Sequence, residues 1–555
     1  MGSLDIPQYD VLIIGAGLSG ICSLHHIRER FPSWRVRLLE AGSDVGGTWY
    51  WNRYPGARFD SESVTYAFSW DKELLNEWHW TEVFASQPET LRYIQHVARK
   101  HGLYKHIQFN TRVVSATWEA DDQAHTWTFV DDAGARYRTT FFVSCLGFLS
   151  SPTLPDIPGI ESFAGPAFHT SRWPKDFDLG KLADKRVGVI GTGSTGIQII
   201  TELATTTAIK PPLKSLTVFQ RRPNWAVPLR NSPITADEMA KIRQSYDSIF
   251  QTCNETSAGL IHNTDPRKSS DVTAAERTAL WNKLYSQPGF GKWLGVFSDT
   301  YTDREANRLY TDFIAAKIRA RIADPALAEQ LIPTDHGFGL RRVPLESGYF
   351  EVFNQPNVRL VNLARTPIAA VSADAITTAD GTAHALDVLI FATGFDAVTG
   401  AFREINCASG APPVWPDHQP RTFLGVTVPS CPNMFMVLGP HQPFGNATRC
   451  IEHAVGVVCN LLQHCHDGGY TYVEPTEAAA DAWTEHVVDC SRGLLSNEVD
   501  SWVTGVNANV PGKTKRIVAR YNGSTIEYRR RCEECRLSGW KGLTFQTAQT
   551  TTTTT

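Results

Sequence analysis

Two glycine turns, Gly15-Ala-Gly-Leu-Ser-Gly20 and Gly191-Thr-Gly-Ser-Thr-Gly196, carry the most chemically suggestive spacing in this 555-residue chain. Each follows a short apolar, β-branched run, Tyr9–Ile14 or Arg186–Ile190, of the kind that forms a buried parallel strand. Each also opens a helical stretch, the first running through Arg30 and the second to about Thr205. Glycines at this spacing permit a tight turn, close backbone approach to a pyrophosphate and helix-on-strand packing. The strands that follow end in opposite charge. Arg35–Leu39 ends at Glu40, an acid placed to accept hydrogen bonds from a free ribose. Leu216–Gln220 ends in Arg221 and Arg222, whose guanidinium groups suit a 2′-phosphate. The first turn therefore suits FAD and the second NADPH.

Three further stretches carry reactive or ring-bearing side chains. Gly46–Asp60 is too rich in Gly, Pro and aromatics for a regular helix or a long strand. It reads as a loop folded over a flat ligand, with Trp49 and Trp51 offering ring surfaces and Arg58 and Asp60 close by. Asp335–Pro344 is a loop bearing Arg341 and Arg342. Phe163–Pro174 follows the breakers Pro152, Pro155 and Pro158 and lies between the two glycine turns, placed to link one nucleotide site to the other. A thiol–disulfide reductase would want a cysteine pair beside the first turn, where Cys22 stands alone.

These residues need an α/β frame of two Rossmann-like dinucleotide-binding domains. The pattern divides the chain into a first part of the FAD-binding domain at 1–150, a first part of the NADPH-binding domain at 151–230 with the hinge at 163–174, and a helical insert at 231–332. A second part of the NADPH domain follows at 333–385, a second part of the FAD domain at 386–545 and a disordered tail at 546–555. Thr81–Leu103 has a helical pattern. Arg112–Glu119, Thr126–Val130 and Tyr137–Phe142 alternate as a small antiparallel sheet, and Phe141–Gly147 reads as a strand returning to the first sheet. Asn357–Asn362 and Leu386–Phe391 resume the sheet pattern, and a helix runs from about Cys450 to His466. Ser501–Lys513 is an aromatic, glycine-bearing loop.

A net charge of −4 gives no reason to expect nucleic acid or an anionic membrane as partner. No apolar run approaches the ~18 residues of a membrane span, and no secretory or acylation pattern opens the chain, since Ile6 breaks the latter. Eleven cysteines without framework spacing suit reduced thiols in a cytoplasmic enzyme. Cys532 and Cys535 form the one close pair and lack the two further ligands that zinc needs, so no metal is expected there.

Taken together these motifs resemble the single-chain, FAD- and NADPH-dependent Baeyer–Villiger monooxygenases, from Val11 to about Lys513. The hinge matches F-x-G-x-x-x-H-x-x-x-W-P at Phe163, Gly165, His169, Trp173 and Pro174. The loop matches G-x-W-x-x-x-x-[FY]-P-G-x-x-x-D at Gly47, Trp49, Tyr54, Pro55, Gly56 and Asp60. The resemblance implies insertion of one oxygen atom from O2 beside a ketone carbonyl, through a C4a-peroxyflavin, to give an ester or lactone. It implies Arg342 as the catalytic cation and Asp60 as the group that orients it. For FAD it implies Gly15, Gly17, Gly20, Glu40, Thr48, Trp49, Trp51, Asp60, Ser61 and Tyr66. For NADP it implies Arg58, Phe59, Asp60, Thr192, Gly193, Ser194, Thr195, Gly196, Ile197, Gln198, Arg221, Arg222, Arg341 and Trp502, the last on a covering loop two residues longer than the shorter family form. His169 is either a control point for nicotinamide movement or a capping histidine. A bulky or cyclic ketone of secondary metabolism is the expected substrate. An N- or S-oxygenating flavin enzyme and a non-catalytic flavoprotein are the alternatives.

Overall fold

The computed structural model describes residues 6–121, 124–407 and 414–547. Two sheets organise it. The first contains β1 (Gln8–Ile14), β2 (Val36–Leu39), β3 (Ile107–Gln108), β4 (Val113–Asp121), β5 (Ala124–Asp131) and β6 (Arg136–Ser144), in spatial order β4-β5-β6-β1-β2-β3. Ile405–Asn406 extends it beside β4, and Met434–Met436 pairs with β6. Val11 lies opposite Val36 on one side and Phe141 on the other, both in parallel pairing. Alternate residues of β1 point to opposite faces. Val11 and Ile13 enter the core beneath the helix α1 (Leu18–Arg30), while Leu12 and Ile14 pack with Trp118, Trp127 and Phe129. Burial on both faces is why this strand is an unbroken apolar run.

The expected small antiparallel sheet is not a separate body. β4, β5 and β6 pair antiparallel with one another, and β6 itself pairs parallel with β1, so they continue the first sheet. The stretches taken as Tyr137–Phe142 and Phe141–Gly147 are this one strand, long enough to serve both partners.

The second sheet contains β7 (Ala167–His169), β8 (Arg186–Ile190), β9 (Ser215–Gln220), β10 (Val358–Asn362) and β11 (Val388–Phe391), all parallel, in order β10-β9-β8-β11-β7. The helix α2 (Ser194–Thr205) follows β8. Between β9 and β10 lie the helices Ala236–Asn254, Ala274–Ser286, Arg304–Arg319 and Pro325–Leu331. Thr235 with Glu238, and Thr273 with Glu276, form capping boxes that start the first two. Trp281, Tyr310, Ile314 and Ile318 from these helices join Val187, Val189 and Val218 in one core.

Other differences from the sequence reading are local. The helix expected from Thr81 begins at Gln87, and the one expected over 450–466 spans Ala447–Gly468, called α3 below. Leu543–Gln546 pairs with Tyr472–Pro475, so the expected tail starts one residue inside a strand; 548–555 lie outside the described residues. Cys407 and Cys431 are joined as a disulfide, Cα atoms 4.7 Å apart, where reduced thiols were expected throughout. Cys407 directly follows the edge strand Ile405–Asn406, and chain folding brings it to a cysteine 24 residues along the sequence.

Five histidines, His25, His106, His169, His441 and His453, are each pushed down to about 4, in every case mainly by burial. In the unfolded chain the same groups take up protons near about 6.5. Between those values the unfolded state binds more protons, so acid favours it. Stability is therefore expected to fall as pH drops from about 6.5 toward 4, on top of any carboxylate contribution. Urea midpoints across that range check this; a flat midpoint would contradict it.

Candidate nucleotide and catalytic site

Both glycine turns leave the start of a helix open. A Cβ added at Gly20 would lie 1.8 Å from the Gly15 carbonyl oxygen, so helix and turn meet at a distance only glycine allows. α1 and α2 are capped by Gly17 and Gly193, without a side-chain cap and without an acid in the first turn. Their free N–H groups and positive dipole ends are anion sites. A Cβ at Gly193 meets nothing within 4 Å, so there is room in front of α2 for a phosphate. At the first turn the Glu40 carboxylate accepts from the Ala16 and Gly42 N–H groups, both at 2.7 Å. Burial raises its pKa and those two donors oppose the rise. The fixed carboxylate keeps lone pairs for a ribose. These features fit a dinucleotide at each turn.

Asp60 and Arg342 meet beside the second turn. Arg342 Nη2 donates to Asp60 Oδ2 at 2.8 Å, and Nη1 donates to Ser194 Oγ at 3.2 Å. Asp60 Oδ2 also accepts from the Leu345 N–H at 3.3 Å, while its Oδ1 is buried without a hydrogen-bond partner among the described residues. The Asp60 side chain is 2% exposed and that of Arg342 32%. The acid is thus shut away while the cation keeps an open edge. Tyr54 fastens this loop to α2, donating from its hydroxyl to Gln198 Oε1 at 2.6 Å; Gln198 in turn donates to the Arg58 carbonyl at 3.0 Å. The phenol's pKa is raised mainly by burial.

The loop itself differs from expectation. Thr48–Trp51 forms one helical turn, entered through Gly47. Trp49 is buried and donates to the Tyr66 hydroxyl at 3.1 Å, and Phe59 stacks on Tyr66 at 4.4 Å. These rings are walls of the core rather than free faces; Trp51 stays partly exposed, as does Ser61. Ile197 is buried in the second core, leaving only its backbone to face a ligand. Thr192 Oγ1 donates to the Arg222 carbonyl at 3.0 Å, and Thr195 lies within hydrogen-bonding reach of Tyr54. Arg58 is turned away, onto Glu82 at 3.3 Å and the Phe84 carbonyl at 3.0 Å.

Arg221, Arg222 and Arg341 converge. Burial lowers the pKa of Arg221, and the Arg222 and Arg341 charges lower it further. Asp335 sits among them, 3.0 Å from Arg341 and 4.0 Å from Arg222. Its carboxylate is held well below its usual range, first by the 2.6 Å bond to His336 and then by those arginines. Three guanidiniums against one carboxylate leave a surplus of positive charge for an anion.

The hinge is fastened at both ends. β7 is an edge strand of the second sheet, and Phe163 is buried in that sheet's outer cluster with Ile190, Phe219 and Leu389. At Gly165 a Cβ would lie 2.3 Å from the Asp387 carbonyl oxygen. His169 accepts from the Ser171 N–H at 3.1 Å and caps a short 3-10 turn. Its ring lies 5.5 Å from Phe395. Trp173 is buried against Phe168 and donates to the Phe177 carbonyl, while Pro174 is exposed. Beyond His169 the chain turns to the first-domain loop, with Arg172 4.6 Å over the Trp51 ring and Lys175 3.1 Å from Ser43 Oγ.

The Trp502 loop is docked rather than loose. Trp502 stacks at 6.3 Å from Phe148, which stacks on Phe444; no hydrogen bond or ring contact joins it to Arg342. Lys513 Nζ lies 2.5 Å from Asp396 Oδ1 and donates to the Ala397 carbonyl at 2.8 Å, with both charged side chains 3% exposed. Asn507 and Asn509 donate to the Phe395 and Thr393 carbonyls at 2.8 and 3.3 Å. Arg403 also pairs with Asp396.

The flavin-binding monooxygenase-like family model matches residues 8–221. The chain is 42% identical over 97% of its length to 2-oxo-Delta(3)-4,5,5-trimethylcyclopentenylacetyl-CoA monooxygenase of Pseudomonas putida, covering 98% of that protein. It is 36% identical, over 97% of this chain and 96% of the relative, to a Baeyer–Villiger monooxygenase of Pseudooceanicola batsensis. The chain belongs to the Baeyer–Villiger monooxygenases of the flavin-binding monooxygenase family. A crystal structure of OTEMO with FAD and NADP superposes with a TM-score of 0.90 at 40% identity, covering 98% of this chain and 100% of that one. Phenazine N-monooxygenase PhzNO1 of Lysobacter antibioticus is 35% identical over 97% of each chain.

Within this Baeyer–Villiger monooxygenase, several residues around the site escaped the sequence reading. Asp335 is one, and the Lys513–Asp396 pair another. Glu62, two positions past Asp60, pairs with His262 of the helical region at 2.7 Å. Nearby Lys292 is buried and brought down to about 8, mainly by that burial. A signal existed only for Glu62 and Asp335, as charges two positions from Asp60 and six from Arg341 in sequence.

Proposed function

We propose that this chain is an FAD- and NADPH-dependent Baeyer–Villiger monooxygenase that converts a ketone to an ester or lactone. The observation that carries the reading is the placement of Arg342, gripped by Asp60 of the aromatic loop and by Ser194 at the mouth of the second nucleotide turn. Bound FAD supplies oxygen activation and bound NADPH supplies the hydride. The protein's part is electrostatic and positional. Arg342 presents a fixed cation where negative charge builds on the substrate carbonyl oxygen, in a site partly closed to water. Asp60 holds that cation in one orientation, so little reorganisation is needed as the charge develops. Glu40 orients the FAD ribose, the α1 and α2 N-termini take the pyrophosphates, and Arg221, Arg222 and Arg341 take the 2′-phosphate. The docked 501–513 segment is the candidate cover for the nucleotide, carried over from the family resemblance of Trp502.

The substrate is a bulky or cyclic ketone, a reading that the cyclic compound in the name of the Pseudomonas putida relative supports. A cytoplasmic setting is part of this proposal. No helix among the described residues is long and apolar enough to cross a membrane. A panel of cyclic and open-chain ketones with NADPH and oxygen tests this, with an ester or lactone as the expected product. N-oxygenation is the second reading, favoured by the phenazine-oxidising relative. N-oxide formation from a heteroaromatic amine with no ester from any ketone would establish it instead.

Arg221→Ala is expected to raise the KM for NADPH about 10- to 100-fold, the worth of a charge-assisted contact of ~1.5–3 kcal/mol, with kcat nearly unchanged. Its KM for NADH should barely move. Equal losses with both nucleotides would remove the phosphate role.

A further inference from the structure

We propose that the outer face of α1 carries a zinc-binding site made of His25, His26 and Glu29. This is separate from the nucleotide sites and does not depend on the reaction proposed above. The three ligand atoms all lie within 4.8 Å of one another. His25 Nε2 is 3.3 Å from Glu29 Oε2, and His26 Nδ1 is 4.0 Å from the same oxygen. Ligands ~2.0–2.1 Å from a tetrahedral zinc are about 3.3 Å apart. The first pair already has that spacing. The other two pairs are wider, both within 4.8 Å, and reach it by rotation of the Glu29 and His26 side chains, 68% and 30% exposed.

The imidazoles are held in place by ring packing. His25 stacks on Trp70 at 4.2 Å and packs against His101 at 4.4 Å, while His26 meets the Trp70 edge at 5.2 Å. His101 is itself backed by Asp71 at 3.0 Å, so a carboxylate stands behind the cluster. The site is near the C-terminal end of α1, where the helix dipole favours a cation.

Access and chemistry point to the same ion. A cavity of about 610 Å³ opens beside the cluster, lined by His26, Glu29, Trp70 and Glu452 among others. It leaves a fourth position for water. Arg30 also borders it but is tethered to Asn460 Oδ1 at 2.8 Å. Two imidazoles and one carboxylate suit zinc over calcium or magnesium, which prefer oxygen alone. Cys459 lines the same cavity, yet burial pushes its thiol up to about 12, so it is no thiolate ligand.

The test is zinc titration of the tag-free holoprotein by calorimetry, with cobalt(II) as a visible-absorbing substitute. His26→Ala and Glu29→Gln, both at partly open positions, are compared with the wild type. The expected result is one zinc per chain in the wild type, at least about tenfold weaker binding in each variant, since even outer-shell changes cost that much, and cobalt d–d bands that disappear in both. Zinc should also raise the thermal midpoint of the wild type and leave the variants unmoved. Three results would overturn the site: no zinc bound by the wild type, equal binding by the variants, or binding that disappears on thiol alkylation while surviving both substitutions.

Discussion

Arg342→Ala is expected to fold, to retain its flavin and to lose ester formation by about 10²- to 10³-fold or more. The figure is that for removing a preorganised charge donor from a developing oxyanion. Retention of structure follows from where the side chain sits. Its partner Asp60 keeps a second donor, the Leu345 N–H, and the guanidinium is partly open rather than locked into either core. Arg342→Lys should recover only part of the rate, because an ammonium cannot bond to Asp60 and Ser194 at once with the same geometry. Flavin absorbance per protein and product yield per NADPH consumed separate the two effects. Ester formation at the wild-type rate by the alanine variant would remove the assigned role.

The second large effect is on stability. Lys513→Met leaves Asp396 buried with its one buried cation gone, and breaking a buried pair from one side costs about 3–5 kcal/mol. Arg403 remains beside Asp396 but is half exposed, so it offsets only part of the loss. Because Asn507 and Asn509 hang from the same 393–395 backbone, the loosened segment is the one carrying Trp502. Nucleotide binding should weaken along with the unfolding midpoint. Adding Asp396→Asn to the same chain should restore much of the stability, since the stranded charge is then gone. If Lys513→Met unfolds at the wild-type midpoint, the pair is not the latch described.

What could be read from the chain beforehand follows a physical rule. Gly20 was legible because the backbone at that point admits one residue type and the spacing is local. Glu40 and Arg221 were legible because each directly ends a strand that the apolar pattern marks. Arg342 rested on resemblance, since nothing in the local pattern of Arg341-Arg342 says which guanidinium turns to Asp60. The Lys513–Asp396 pair and the Cys407–Cys431 disulfide join distant positions and leave no local trace. The return of Phe141–Gly147 to the first sheet was legible from its apolar run, but not that it and Tyr137–Phe142 are one strand that also joins β4 and β5 to that sheet. Trp49 shows the limit of composition, because an aromatic loop does not say in sequence how far each ring packs into the core, as Trp49 does beside Tyr66.

The most direct test of the central claim is turnover of a cyclic ketone with NADPH under ¹⁸O₂. One labelled oxygen in a lactone, with Arg342→Ala giving none, is the predicted result. NADPH-dependent oxygen uptake that yields no labelled ester from any ketone, or label found only in an N-oxide, would contradict it.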